Sequence, residues 1–289
     1  APLSHFQERL WVMQRLDPGN TASNLSALWK APQGVAPERV HAAAQAVLAR
    51  HEVLHGRFVD ADAGPELLPG PPVAVASVDL GTLAPEAQAA RVRADRERTL
   101  ATPFDLAGEA PVRCTVYRLG DAAAAVLLCA HHIAVDAWSI ALLRREMADA
   151  CRGEPVAELA QWQYADFAAW QRSAGQESAR ADELAWWCGR LAGAPPLSVF
   201  PPDRAIGQVT SATLDFAWDG ELTAAVRALC REEGATLYMA LLAACAAVLR
   251  LHTGQLDVVL GSPMGMRERS EFEAVIGPFV NLRVLRLAL

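Results

Sequence analysis

The densest group of chemically active side chains in this sequence consists of two adjacent histidines and an aspartate that follows shortly after them. His131 and His132 come directly after the apolar run 122–130, and Asp136 precedes a run with helical periodicity, 140–150. Histidine exchanges protons near neutrality because its unperturbed pKa is about 6.5. A histidine where a buried strand passes into a polar turn is typical of a catalytic group held on a rigid scaffold. The sequence therefore predicts an acid–base site at the end of this strand.

The two histidines are expected to differ in environment, because neighbouring side chains of a strand point to opposite faces. We predict that His132 faces a cleft and that His131 packs inward. Asp136 can orient the His132 imidazole or turn away and pair with an arginine, and the spacing leaves both open. Two other interpretations stay open: a buried structural pair of histidines, and a metal site, since His and Asp are metal ligands. No further His or Cys cluster lies nearby in the sequence, so we predict no metal.

Other common catalytic patterns are absent from the sequence. There is no Gly-x-Ser-x-Gly element for a serine nucleophile, and no glycine-rich loop of the phosphate-binding or dinucleotide-binding type. The six cysteines are dispersed without a Cys-x-x-Cys pair. This spacing favours a reduced compartment over a disulfide framework or a zinc site.

The composition is that of a soluble globular protein. The 289 residues are 52% hydrophobic and 20% charged, and the net charge of -7 disfavours a nucleic-acid partner. The longest apolar runs, 122–130 and 237–249, fall well short of the roughly 20 residues of a membrane span. The N-terminus also lacks a signal-peptide pattern. We therefore expect a soluble, cytoplasmic protein with no membrane partner.

The elements expected around this site alternate between helix and strand, which indicates an α/β protein of two halves. In the first half, two strands separated by the turn signal Gly120-Asp121 follow a helix that begins at Pro37. In the second half, Thr236 is expected to cap a nearly all-apolar helix that is buried on most sides. The predicted ranges are helix 37–50, strands 112–119 and 123–129, helices 164–171 and 184–191, linker 192–207, strand 212–218, helices 222–233 and 237–251, and strands 256–260 and 279–289.

The histidine motif and four further segments resemble the motifs of condensation domains of nonribosomal peptide synthetases, in the same order. The run 131–139, His-His-x-x-x-Asp-x-Trp-Ser, resembles the signature of that family. The other segments are Leu-Ser-His-Phe-Gln-Glu-Arg-Leu-Trp at 3–11, Arg-His-Glu-Val-Leu at 50–54 with Arg57-Phe58, Tyr-Ala-Asp-Phe-Ala-Ala-Trp at 164–170, and Ile-Gly-Pro-Phe-Val-Asn at 276–281. Together they extend over the chain from end to end.

The resemblance implies a fold, a reaction and partners. The implied fold is an α/β protein, an α+β sandwich, with two lobes akin to chloramphenicol acetyltransferase in a V shape around an active-site tunnel. The lobes would be residues 1–175 and 176–289, the second incomplete at its C-terminus. The implied activity is that of an acyltransferase that joins a donor acyl or peptidyl thioester to the amine of an acceptor aminoacyl thioester, which gives an amide. Upstream donor and downstream acceptor carrier proteins would deliver both substrates on phosphopantetheine arms. Adenylation and carrier domains would be fused or adjoining, and the domain itself would bind no cofactor.

The resemblance also implies roles for individual residues. His132 would act as the base for the amine, or as the group that positions it and stabilises the tetrahedral intermediate, with His131 beside it. Asp136 is expected to be structural and to pair with an arginine of the second lobe, which by motif position is Arg267. Trp138 is expected to pack and hold the loop. The residues implied for the active-site loop are Ala137, Trp138 and Ser139.

Two departures from the family pattern bear on function. Ala137 and Met266 stand where the family commonly has glycine, and Ala137 would be strained if its φ were positive. These departures favour one alternative, a catalytically silent module that recruits carrier proteins or tailoring enzymes. Another alternative is a related acyltransferase that uses coenzyme A esters or an alcohol acceptor, or an epimerisation domain, since these share His-x-x-x-Asp. The Trp138-Ser139 pair and the segment 164–170 favour condensation over the second alternative.

Overall fold

The protein is a mixed α/β structure, seen here in a computed structural model that describes residues 1–62, 64–154, 161–196, 214 and 216–289. The helices within these residues are α1 (His5–Leu16), α2 (Pro37–Arg50), α3 (Glu52–His55), α4 (Pro85–Leu100), α5 (Ala137–Arg152), α6 (Tyr164–Gln171), α7 (Ala174–Leu191), α8 (Gly220–Glu232) and α9 (Leu237–Thr253). The strands are β1 (Asn24–Lys30), β2 (Arg57–Ala61), β3 (Gly64–Leu68), β4 (Val75–Asp79), β5 (Val112–Gly120), β6 (Ala123–His131), β7 (Asp257–Gly265) and β8 (Val280–Ala288), and a short 3-10 helix covers Ser270–Phe272.

The chain forms two compact units. The first consists of Ala1–Ala181 together with Gly265–Asn281, and the second of Asp182–Met264 together with Leu282–Leu289. The segment Gly265–Asn281 lies late in the sequence but folds with the first unit. It therefore belongs to the same unit as the histidine motif.

A four-stranded sheet forms the centre of the first unit, with the strand order β1-β6-β5-β4. β6 is antiparallel to both of its neighbours, whereas β4 pairs with β5 in parallel. Every residue of β6 after the first is buried, which explains why this strand is a continuous apolar run in the sequence. The register sets His131 opposite Asn24, so an internal strand of the sheet ends at the histidine pair.

Helices cover both faces of this sheet. α2 and α5 pack against each other, and α2 also lies against β4, β5 and β6. Val116 and Val126 belong to the main hydrophobic core. The alternate residues Tyr117 and Leu127 instead form a smaller cluster with Val92 of α4. Because side chains alternate along a strand, the two clusters lie on opposite faces of the sheet, and the sheet is the middle layer of the first unit.

The elements predicted near the histidine motif are confirmed with small differences at their ends. α2 and α6 have the predicted bounds, and β5 and β6 are joined at Gly120-Asp121. α5 begins at Ala137, three residues earlier than predicted, because the Asp136 side chain caps it. α7 is longer than predicted and includes the range 184–191.

The second unit contains α8, α9 and a two-stranded sheet of β7 and β8. Asp219 caps α8, and Thr236 caps α9 as predicted, with its hydroxyl oxygen accepting from the Met239 amide at 3.2 Å. α9 is followed by Gly254 in the left-handed region, with a φ of 71°. The predicted linker 192–207 and strand 212–218 lie in large part outside the described residues. Residues 214 and 216–218, which are described, are not in a strand.

The predicted burial of α9 is wrong. Ala246 is the buried residue of this helix among those described. Its exposed large apolar side chains are Leu237, Tyr238, Met239, Leu241, Val248 and Leu251. An apolar composition shows that a helix can be buried, but burial also requires partners on each side. In the described part of the second unit, α8 is the helix that packs against α9, and much of the α9 surface stays open.

No single helix in the described ranges is both long enough and apolar enough to span a membrane. α8 and α9 meet the length and composition criteria only when taken together, and the pair is bent by 102°.

Candidate active site

The two histidines stand where β6 passes into the turn that leads to α5. The His131 amide donates to the Pro111 carbonyl, and the His132 amide donates to the Ser23 carbonyl, each at 2.8 Å. These bonds connect the backbone of the motif to the residues that directly precede β5 and β1. The His131 side chain is buried, whereas that of His132 is half-buried. The two side chains thus differ in exposure as strand alternation predicts.

The imidazole of His132 is oriented by a backbone carbonyl. Its Nδ1 lies 2.7 Å from the Val135 carbonyl oxygen, which can only accept, so Nδ1 carries the proton. In the neutral ring, Nε2 therefore keeps its lone pair and can accept a proton. The Phe6 ring packs against the imidazole with centroids 5.3 Å apart and planes inclined at 67°.

His131 is neutral and internal. Its Nδ1 accepts a hydrogen bond from the Ile133 amide at 3.1 Å. Its Nε2 is buried and has no hydrogen-bond partner among the described residues, and the Phe104 ring lies edge-on at a centroid distance of 6.1 Å. Burial lowers the pKa of His131 to about 4, and the neighbouring His132 acts in the same direction. His131 therefore supports the loop without exchanging protons at neutral pH.

Asp136 turns away from the histidine and holds the start of α5. Its Oδ1 accepts from the Ser139 amide at 2.7 Å, which is a helix N-cap. The same oxygen lies 3.4 Å from Nη2 of Arg267, and both side chains are 9% exposed. Of the two possibilities that the spacing left open, the structure has the arginine pair. The partner is Arg267, as expected, but this arginine lies in the first compact unit and not in a second one, because the segment Gly265–Asn281 folds with the histidine motif.

Arg267 joins the start of α5 to the segment Gly265–Asn281. Its Nη1 donates to the carbonyls of Phe272 (2.5 Å) and Val275 (2.7 Å), and its Nη2 donates to Ser139 Oγ (2.9 Å). The guanidinium also lies 4.2 Å from the centroid of the Phe279 ring. Burial lowers the pKa of Arg267, and the charge and hydrogen bond of Asp136 oppose that shift.

Ser139 is fully buried and also connects the start of α5 to the segment Gly265–Asn281. Its hydroxyl donates to the Gly277 carbonyl at 2.7 Å and accepts from the Gly277 amide at 3.0 Å. Together with the contact to Arg267, the serine is saturated with hydrogen bonds. It is therefore a structural residue of the loop, and its hydroxyl is not available as a nucleophile.

Ala137 and Trp138 form the exposed part of the loop. Ala137 is the first residue of α5, and its φ is negative, as for every described residue other than glycine. Ala137 therefore does not have the backbone strain that a positive φ would cause. Trp138 is 55% exposed, so the expectation of a packed side chain is only partly met, although its Nε1 donates to the Glu273 carbonyl at 3.0 Å. Met266 is partly buried, and its amide donates to the Phe279 carbonyl at 2.8 Å.

An aromatic cluster anchors Gly265–Asn281 to α6. The ring of Tyr164 lies 4.9 Å from that of Phe279, and Phe167 contacts Phe279 at 4.7 Å and Phe272 at 5.2 Å. Gly277 lies directly against Tyr164, since a Cβ at this glycine would be 1.9 Å from the tyrosine ring. The motifs at 164–170 and 276–281, which are distant in the sequence, therefore meet beside Asp136 and Arg267.

Two buried polar residues of the α1 N-terminus were not predicted as part of the site. Gln7 is 1% exposed, and its side-chain amide donates to the Ile133 carbonyl at 3.0 Å, inside the histidine turn. Ser4 caps α1 in a reciprocal capping box with Gln7, and its hydroxyl lies 2.9 Å from the Tyr164 hydroxyl. The Ser-x-x-Gln spacing is a sequence signal for the cap, but the reach of Gln7 into the turn depends on tertiary structure.

The described part of the chain holds no cluster of three or more His, Cys, Asp or Glu side chains that could bind a metal ion. The groups that this arrangement offers to a substrate are the half-buried imidazole of His132 and the exposed loop beside it.

Comparison with known proteins gives one consistent result. The model of the condensation domain family matches residues 1–289. The chain is 36% identical over 308 residues to the phosphinothricin tripeptide synthetase PhsC of Streptomyces viridochromogenes, which covers 99% of this chain and 27% of that protein. The chain thus spans about a quarter of the length of this relative.

Two solved structures share the fold. One is the first condensation domain of the calcium-dependent antibiotic synthetase in complex with a substrate analogue, with a TM-score of 0.78 and 25% identity over 99% of this chain and 69% of that one. The other is the X-domain from teicoplanin biosynthesis in its complex with OxyB, with a TM-score of 0.81 and 26% identity over 100% of this chain and 65% of that one.

The mixed α/β fold of this chain matches that of condensation-domain structures. The chain belongs to the condensation domain family.

Proposed function

We propose that this chain catalyses amide-bond formation between two substrates carried as thioesters, with His132 as the group that handles the proton. The observation that carries the proposal is the placement of His132: its Nδ1 is bonded to the Val135 carbonyl, and its half-buried ring leaves Nε2 for a substrate. A histidine positioned in this way can act as a general base near neutral pH.

The proposed reaction has one covalent exchange. The amine of the acceptor attacks the carbonyl carbon of the donor thioester, so that a C–N bond forms and the C–S bond breaks. The proton lost by the amine passes to Nε2 of His132 and then to the departing thiolate. The same imidazole can also stabilise the charge of the tetrahedral intermediate.

Asp136 and Arg267 act on this reaction through the position of the loop. Their contacts are to each other, to the start of α5 and to backbone carbonyls, and Asp136 has no hydrogen bond to the imidazole in the described structure. They are positioning residues in this proposal. His131, which is buried and neutral, has the same kind of role.

The substrates are proposed to arrive on phosphopantetheine arms of an upstream donor and a downstream acceptor carrier protein, with adenylation and carrier domains fused or adjoining. Support comes from the relative PhsC, a tripeptide synthetase in which the matched part is 27% of the protein. The domain itself would then hold no cofactor of its own.

We further propose a two-lobed, V-shaped domain in which residues 1–175 contribute the first lobe and residues 176–289 the second, except that the segment Gly265–Asn281 folds with the first unit. The second lobe is proposed to continue in a longer chain. The exposed apolar surface of α9 supports an incomplete second lobe, because large exposed apolar faces normally have a partner. A longer chain is expected to bind less of an apolar dye such as ANS per molecule than residues 1–289. Equal dye binding would contradict this part of the proposal.

Intact-protein mass spectrometry tests the central proposal. A donor carrier loaded with an acyl group and an acceptor carrier loaded with an amino acid are mixed with the wild-type protein or with His132→Ala. We expect the condensed mass on the acceptor carrier with the wild type and its loss in the variant. An acceptor that carries a hydroxyl in place of the amine tests the related reaction that gives an ester.

A silent recruitment module is the second candidate function. Two observations favour it: Ala137 and Met266 stand where the family commonly has glycine, and one structural neighbour is an X-domain solved in complex with OxyB. In that case both carriers, or a tailoring enzyme, would bind without transfer. Measured carrier binding with no condensed product from matched substrates would decide for this module.

A further inference from the structure

We propose that Phe6 is a positioning residue for His132 and the wall that limits the size of the group that reacts there. The role of Phe6 in limiting the size of that group rests on the proposed function. Phe6 is half-buried, is packed against the main core, and contacts the imidazole directly.

The imidazole of His132 needs a second restraint besides its hydrogen bond. The bond from Nδ1 to the Val135 carbonyl, at 2.7 Å, fixes one edge of the ring. A single hydrogen bond at one atom still lets the ring plane tilt about that atom. The Phe6 ring, 5.3 Å away and inclined at 67°, restrains the plane through an edge-to-face contact. Phe6 therefore restricts the direction in which the Nε2 lone pair points.

Phe6 lies between two residues, Ser4 and Gln7, whose side chains are fixed by hydrogen bonds. Ser4 and Gln7 are 0% and 1% exposed and form the capping box at the start of α1. Gln7 donates to the Ile133 carbonyl at 3.0 Å, so α1 is bonded to the turn that carries His132. A side chain between these two anchors is placed with little freedom relative to the imidazole.

A cation limits the motion of the Phe6 ring further. The guanidinium carbon of Arg9, one turn along α1, lies 5.0 Å from the centroid of this ring. Phe6 thus packs against a histidine and a cation, and the ring contacts both. Because Phe6 is only half-buried, part of its ring is accessible to a molecule that binds beside the imidazole. The ring would then exclude bulky substituents from that side.

Chemical modification of His132 tests the placement of Phe6 without any need for turnover. Carbethoxylation by diethyl pyrocarbonate is followed at each histidine by peptide mass spectrometry. His252 is the internal reference, because its Nδ1 is also bonded to a backbone carbonyl, that of Val248 at 2.9 Å, and it is exposed. We expect Phe6→Ala to raise the ratio of the His132 rate to the His252 rate by about 2- to 10-fold, the range that corresponds to one aromatic contact.

The control variants distinguish the loss of the aromatic ring from a general effect of substitution in α1. Phe6→Tyr keeps the ring and is expected to keep the wild-type ratio. Val12→Ala changes an apolar residue on the same helix that is 49% exposed, and it should leave the ratio unchanged. An unchanged ratio in Phe6→Ala, with the fold intact by circular dichroism, would overturn the placement of Phe6.

Acceptor selectivity tests the role as a wall. Carrier-bound glycine and carrier-bound phenylalanine are compared as acceptors in single-turnover transfer. We expect Phe6→Ala to raise the rate with phenylalanine relative to glycine, and Phe6→Leu to lower the rate constant with glycine while its KM stays unchanged. An unaltered preference would refute the wall. If the wild type transfers neither acceptor, the proposed function fails, while the modification ratios still decide the placement of Phe6.

Discussion

Asp136 and Arg267 lie 3.4 Å apart and are both 9% exposed, although 131 positions separate them in the sequence. The pair connects the cap of α5 to the segment Gly265–Asn281, whose carbonyls at Phe272 and Val275 also bind the guanidinium. The contacts between the start of α5 and the segment Gly265–Asn281 thus hold the active-site turn in place. His132 has its own orienting bond to Val135 and does not depend on Asp136 for it.

Asp136→Ala should destabilise the first unit. The change removes the cap and leaves the Arg267 charge buried without its partner, which costs about 3–5 kcal/mol. We expect the lower end, because Arg267 keeps four other acceptors, at Ser139, Phe272, Val275 and Gly277. The free energy of unfolding in urea measures this loss.

Asp219→Ala is the matched control for this pair. Asp219 caps α8 through the same bond, from its Oδ1 to the Leu222 amide at 2.7 Å, in an exposed setting. This variant should cost about 1 kcal/mol, as for other helix caps. Equal losses in Asp219→Ala and Asp136→Ala would mean that the contact with Arg267 contributes nothing.

Gly277→Ala is expected to disturb, by overpacking, the contact between the segment Gly265–Asn281 and α6. The added methyl would lie 1.9 Å from the Tyr164 ring, so the two motifs have to separate. Overpacking of this kind costs about 1–3 kcal/mol or more. Gly265→Ala is the comparison in the same segment, because its methyl meets no atom within 4 Å. A thermal melt that shows the same midpoint for Gly277→Ala and wild type would contradict this close contact.

His131 gives the protein a specific dependence of stability on pH. Because its pKa is about 4 in the folded protein and about 6.5 in the unfolded chain, the unfolded chain binds more protons between these values. The stability associated with the neutral ring is therefore complete above about pH 6.5 and is lost as the pH falls towards 4. The loss from this group between about pH 7 and about pH 5 is about 2 kcal/mol.

His131→Asn tests this dependence, because the asparagine oxygen can still accept from the Ile133 amide but does not titrate. Urea unfolding at about pH 7 and about pH 5 is compared for wild type and variant. The variant is expected to lose about 2 kcal/mol less than the wild type over this interval. Identical losses for the two proteins would show that His131 does not titrate as described.

Ala137→Gly should not relieve strain. Ala137 is the first residue of α5 and has a negative φ, so glycine there mainly adds freedom to the unfolded chain. We expect a small loss of stability, up to about 1 kcal/mol. A clear gain in the melting temperature of the variant would mean that the alanine strains this turn.

The sequence was sufficient for local features near the site. Continuous apolar character predicted the buried strand β6, alternation predicted the contrast between His131 and His132, and the motif order pointed to Arg267 as the partner of Asp136. These features depend on short-range geometry or on the resemblance to a known family. They therefore needed no knowledge of the other elements.

Features that depend on tertiary partners could not be predicted. The carbonyl of Val135 orients His132, and backbone atoms have no signature in a sequence. The position of Phe6 against the imidazole depends on how α1 packs on the turn. The burial of α9 was overestimated for the same reason, since its apolar composition does not show which surfaces lie against it.

The single-turnover rate of transfer from a donor carrier to an acceptor carrier tests the central claim most directly. His132→Gln is compared with wild type and with His252→Gln, an exposed histidine whose Nδ1 is also bonded to a backbone carbonyl. Loss of a positioned base is expected to lower the rate by about 10²–10⁴-fold in His132→Gln, with the wild-type rate kept in His252→Gln. A wild-type rate of amide formation in His132→Gln would contradict the account.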